Sequence, residues 1–263
     1  MIGPAEVAIW AEKAGLIDPA VHLIRLDEAS PPLALDGGDA YPPASMIKTP
    51  LALAAAVAER AGRLHWGDRI EVSAENMTVN DAPSPLQPGY VASVAELLEL
   101  MVSRSDNVAT NVLIDVLGRV AASQDIAALG FPETVVRRKL SGALPLIDDP
   151  EAVGRNAHPA RDAANMLRMI ACDEVPGAGI VRNLLLGQYW NTKLTTGLAP
   201  GDRFAHKTGD TDEVSHDGGI VTLASGERYI LVVYTRLPSN EDNDRRFGTF
   251  MRSLRPHLSA AAR

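Results

Sequence analysis

The chain has 263 residues, 46% of them hydrophobic and 22% charged, with a formal net charge of −8. That length can bury a sizeable core, and the composition is that of an ordinary globular protein. The acidic balance, with no block of Lys or Arg, excludes a nucleic-acid surface or an anionic-membrane surface.

Residues 1–20 carry Glu6, Glu12, Lys13 and Asp18 rather than the basic and apolar regions of a signal peptide. No run approaches the roughly 18 apolar residues of a membrane-spanning helix. The sequence as it stands therefore predicts a cytoplasmic protein, or a periplasmic or secreted one if it is a trimmed mature form. Cys172 is the only cysteine, so neither an intrachain disulfide nor a cysteine metal site is available, and its neighbours Met169, Ile170 and Ala171 predict a buried, inert thiol. The six histidines are scattered without ligand spacing, so no metal and no cofactor are expected.

In chain order, Val7, Ile9, Trp10 and Ala14 have helical spacing over residues 5–16, closed by Gly15 and Pro19. Short strands follow over 21–26 and 32–35, with turn chemistry at Asp36-Gly37-Gly38. Pro42 and Pro43 stiffen the entry to a helix over 45–63, where Pro50 predicts a local kink. Amphipathic helices are read over 92–102, 107–117 and 120–129, then an irregular stretch over 131–157, then helices over 159–170 and 179–189. From Arg203 the pattern changes to strands over 203–206, 218–223 and 229–236, with Ala224–Glu227 as a hairpin turn. A helix over 240–258 closes the chain. The expected fold class is α+β, an antiparallel sheet flanked by terminal helices with an inserted all-helical lobe. The whole chain reads as one domain, its sheet lobe at about 1–40 and 190–263 and its helical lobe at about 41–189.

Three short motifs carry the chemistry. Ser45 and Lys48 lie three residues apart at a helix start, which puts their Cβ atoms about 5–6 Å apart on one face. An amine so placed can take a hydroxyl's proton and make it a nucleophile. Only five lysines stand against twenty arginines, and arginine cannot do this. Ser105-Asp106-Asn107 sits at a helix start, where the plain reading is an N-cap. Lys207-Thr208-Gly209 ends a strand, and alone it is a strand edge running into a turn.

Taken in order, these are S-x-x-K, S-D-N and K-T-G, and the chain resembles the class A β-lactamase-like family of serine β-lactamases and D,D-peptidases. The resemblance implies an acyl-enzyme mechanism with Ser45 as nucleophile, Lys48 as its base or orienting group, and Ser105 as proton donor to the leaving group. It further implies that Asn107 holds a substrate amide, that Lys207 and Thr208 bind a substrate carboxylate, and that the N–H groups of Ser45 and of Asp210, just past Gly209, form an oxyanion hole. His216 falls where the family often carries an arginine for that carboxylate; a plain strand histidine is the alternative. The implied partner is a small molecule bearing a carboxylate (a β-lactam, peptide or ester), taken by a monomer.

The departure lies in the middle of the chain. No E-x-x-L-N motif occurs between Leu129 and Pro159, and the position expected for its glutamate falls near Ser141 or Gly142. Asp148, Asp149 and Glu151 are substitutes on a loop of altered length, against the simpler reading of solvated loop acids. Asp210 also replaces a small residue and would repel an anion unless it points away. The expected activity is opening of β-lactam amides. The alternatives are a D,D-peptidase or carboxylesterase-type hydrolase, or a penicillin-binding module that acylates without turnover.

Overall fold

Both ends of the chain contribute to one sheet, and the long middle returns to it only at Arg203. The computed structural model describes residues 2–26, 31–35 and 41–258. Helix α1 (Pro4–Ala14) leads into strands β1 (Ala20–Arg25) and β2 (Leu33–Leu35). A single 3₁₀ turn (Ala44–Ile47) runs into α2 (Lys48–Arg60), followed by β3 (Arg69–Glu71), β4 (Val91–Ser93), α3 (Val94–Ser103), α4 (Asn107–Leu117) and α5 (Arg119–Ala128). Then come α6 (Ala160–Ala171), α7 (Ala178–Leu186), β5 (Arg203–Asp210), β6 (Ser215–Thr222), β7 (Arg228–Thr235) and α8 (Glu241–Leu258).

The main sheet has the order β2-β1-β7-β6-β5 with every neighbour antiparallel, Val21 facing Val233 and Gly209 facing His216. Alternation along the strands feeds two cores. Val21, Leu23, Leu231 and Val233 pack with Val7 of α1 and with Phe247, Phe250 and Leu254 of α8. Ile24, Ile220, Ile230 and Val232 pack with Met46, Leu51 and residues of α6 on the opposite side. Because both faces are covered, Tyr229–Tyr234 is a continuous buried run rather than an alternating one. Phe247 and Phe250, wholly buried, each contribute about 2–3 kcal/mol of transfer free energy.

The expected α+β fold is present, with local differences that have physical reasons. Pro50 is the third residue of α2, where a helix has no partner for the N–H that proline lacks, and the irregularity falls upstream as the 3₁₀ turn. β3 and β4 form a two-stranded ribbon beside the helices, too short at three residues each for a period to register. β5 runs through Asp210, so Lys207-Thr208-Gly209 lies inside the strand, not at its end. Cys172 is exposed just past α6, not buried. The turn expected at Asp36-Gly37-Gly38 lies outside the described residues.

Close strand packing requires glycine on β6. A Cβ on Gly219 would lie 2.2 Å from Ala205 O and 2.5 Å from His206 Cβ. Gly219→Ala should therefore cost about 2 kcal/mol, read as a lower urea midpoint at unchanged slope; an unchanged midpoint contradicts this packing.

Candidate active site

Ser45 stands half-buried in the 3₁₀ turn, and that turn is fixed from both sides. Ala44 is left-handed at φ +46°, and Met46 N–H donates to Pro43 O at 3.0 Å. β5, the last strand of the sheet, runs close by: a Cβ on Gly209 would come 3.0 Å from Met46 Cγ and 3.1 Å from Pro43 O. Glycine there lets the strand approach the serine turn.

α4 supplies the second motif. Ser105 holds a left-handed backbone at φ +60°, and Asp106 caps the helix by accepting the Ala109 N–H at 2.8 Å. The plain reading of that triplet therefore holds for Asp106. The strained turn aims the Ser105 hydroxyl at two lysines. Its Oγ lies 3.1 Å from Lys48 Nζ and 2.9 Å from Lys207 Nζ. Lys48 Nζ also donates to Ser105 O at 2.6 Å and to Asn107 Oδ1 at 2.8 Å, while Lys207 Nζ donates to Thr208 O at 2.9 Å. Asn107 Nδ2 donates to Val79 O at 3.0 Å.

Both amines are wholly buried, and burial sets their charge. Desolvation and then the cation of Lys207 hold the Lys48 amine well below its ordinary value, against the pull of Asp106 and Asp81. Desolvation lowers Lys207 to about 7, with Asp210, Asp217 and Asp81 opposing and Lys193 assisting. Burial thus favours the neutral amine at Lys48, and Lys207 is near its midpoint at neutral pH.

The other face of β5 carries Thr208 and Asp210. Asp210 takes two hydrogen bonds from Lys193 Nζ, both at 2.6 Å, and one from Ser215 Oγ at 3.0 Å. Burial pushes its carboxyl up, but Lys193, with Ser215 and Ser239, holds it below its ordinary value. Lys193 escaped the sequence reading; its only signal was being one of five lysines. His216 is turned into the protein. Its Nε2 lies 2.9 Å from Pro42 O and its Nδ1 2.8 Å from Ser215 O, with the Thr235 N–H 3.2 Å from Nδ1, and the ring stacks on Tyr234. Burial lowers it to about 4, so it is a neutral prop for the loop before Ser45.

The loop carboxylates are engaged elsewhere. Arg119 of α5 pairs with both Asp149 and Glu151, and Asp149 also accepts the Lys139 N–H at 2.7 Å. Asp148 is exposed. The part of that loop beside Asn107 is Gly142 instead: its N–H donates to Thr78 Oγ1 at 3.0 Å, and a Cβ on it would fall 3.2 Å from Asn107 Nδ2. Asn111 pins Leu140, two residues earlier, accepting its N–H at 2.7 Å and donating to its carbonyl O at 3.0 Å. A cavity of about 500 Å³ between the 80–85 loop and α3 reaches this site at Ser105 and Asp106.

Among known proteins, the model of the β-lactamase enzyme family matches residues 6–253. The chain belongs to that family. The extended-spectrum β-lactamase PER-1 of Pseudomonas aeruginosa is 25% identical over 224 residues, 78% of this chain and 70% of that one. The solved structure of PBP-A superposes with a TM-score of 0.84 at 24% identity, covering 97% of this chain and 96% of the other. A PBP-A variant solved as an acyl-enzyme complex with penicillin G does so with the same score and identity, over 98% and 96%. These two likenesses establish the shared β-lactamase fold. Among the described residues no helix is long and apolar enough to cross a membrane.

Two outcomes follow for this β-lactamase family member. If Asp149 and Glu151 serve Arg119 and not water activation, Asp149→Asn and Glu151→Gln should leave acyl-enzyme lifetime within about twofold of wild type. A lifetime lengthened manyfold, seen by mass spectrometry, would restore them as bases. Lys207 is cationic only below about 7, so affinity for an anionic ligand should weaken as pH rises from 6 to 8. Titration with a carboxylated ligand checks this, and a flat profile contradicts it.

Proposed function

We propose that this chain is a serine acyl-enzyme hydrolase that opens β-lactam amides on Ser45 and releases the acyl group slowly. The observation that carries the reading is the Ser105 hydroxyl held between two buried amines, whose burial favours the neutral form. Lys48, as a free amine, takes the Ser45 proton while Ser45 Oγ bonds to the lactam carbonyl carbon. The N–H groups of Ser45 and Asp210 receive the developing oxyanion. With Lys48 neutral, the Ser105 hydroxyl turns its proton toward that amine and accepts from Lys207. When the C–N bond breaks, Ser105 gives its proton to the leaving nitrogen and is refilled from Lys48. Asn107 orients Lys48 through its Oδ1 and offers its amide to the substrate. Lys207 and Thr208 receive a substrate carboxylate where there is one. The chain works as one domain, with substrate between a helical lobe (41–189) that brings Ser45 and Ser105 and a sheet lobe (1–40 and 190–263) that brings Lys207.

Slow release is favoured by Gly142, which puts no carboxylate beside Asn107 where a hydrolytic water would need one. The same observation supports a D,D-peptidase or penicillin-binding role over rapid β-lactam turnover. Intact mass spectrometry after mixing with benzylpenicillin should show a persistent adduct that is absent in Ser45→Ala. Lys48→Arg, which cannot supply a neutral amine, should slow its formation by about 10³-fold. An adduct retained in Ser45→Ala, or wild-type rates in Lys48→Arg, would sink the mechanism.

A further inference from the structure

The face of β5 that carries Thr208 is also the face that carries Asp210, about 7 Å along the strand. Any substrate carboxylate on Thr208 therefore meets a fixed anion as its neighbour. The second cation of this region, Lys193, is 1% exposed and already committed. Both its bonds to Asp210 are 2.6 Å, it donates to His216 O at 3.2 Å, and Asp244 stands 3.9 Å away on α8. Asp217, the remaining acid behind the strand, lies 2.7 Å from His206 Nδ1. Asp210 cannot be displaced cheaply, because Ser215 and Ser239 tether it and its ordering is complete before substrate arrives. On the opposite face Lys207 is shared with Ser105.

We propose that Asp210 is a specificity determinant: by capturing Lys193 it denies a substrate carboxylate its second cation and turns the site toward acyl donors that are neutral beside the scissile bond. This rests on acylation of Ser45. Within it, the preferred substrates are esters and amides without a free carboxylate at that place, and an anionic β-lactam is accepted through Lys207 and Thr208 alone. Asp210 acts through Lys193 and through its own field, with no part in proton transfer.

Benzylpenicillin and its methyl ester differ only in the charge at issue. In the wild type at pH 7 the two should acylate at rates within about threefold, followed by intact mass, since the partial charge of Lys207 is opposed by the field of Asp210. Asp210→Asn keeps the size of the side chain and removes the charge that neutralises Lys193. It should raise the acid's rate about tenfold and leave the ester's within twofold, as expected for one charge removed near the surface. A wild-type preference for the acid above about tenfold, or an acid-to-ester ratio that Asp210→Asn leaves unchanged or lowers, overturns the proposal. The wild-type ratio decides alone if the variant does not fold. Absence of adduct with both compounds in the wild type overturns instead the acylation reading beneath it, a result distinct from an acid-favouring ratio.

Discussion

Everything at this site depends on two fully buried lysine amines sharing one hydroxyl. Two ammonium groups cannot both stay charged about Ser105 Oγ when neither is solvated, so the protein lowers both. Lys48, hemmed by Ser105 and Asn107, becomes a base. Lys207, with Asp210 and Asp217 in its field, keeps enough charge to polarise the hydroxyl. One arrangement thus provides an acceptor and a donor from two residues of the same type, by environment alone.

Such a cluster is costly to assemble, and the fold absorbs that cost in its framework. The α4 cap at Asp106 holds the strained Ser105 backbone, and the glycine at 209 lets a sheet edge lie against the serine turn. His216, neutral and stacked on Tyr234, ties that turn to the middle of the sheet. The sheet is covered on both faces, so β5 can be positioned to fractions of an ångström by packing far from the chemistry.

Much of this was legible in the sequence, because its strongest signals are local. α4 starts and stops where Asp106 and Gly118 dictate, and the three motifs name the side chains that meet around Ser105. What was not legible depends on distant partners. Lys207-Thr208-Gly209-Asp210 is polar enough to read as a turn, yet burial against α7 and the serine turn makes it strand. Asp149 and Glu151 look like free loop acids until Arg119 arrives from α5. His216 has the right type for an anion site, but its ring is aimed at Pro42. Asp210 reads as an unpaired anion in sequence; Lys193, one of the few lysines, holds it in an ion pair.

Gly142 has a consequence for how this chain can change over time. A β-carbon at 142 would fall 1.8 Å from Val79 O, and backbone cannot step aside as a flexible side chain can. No single codon change can therefore put a glutamate at this point while the 78–80 segment keeps its course. That segment is itself bound to Asn107 through Val79 O and to Gly142 through Thr78, so it moves only if the bonding around Lys48 is rebuilt with it. A carboxylate at this point therefore requires a loop of different course, not a side-chain exchange alone.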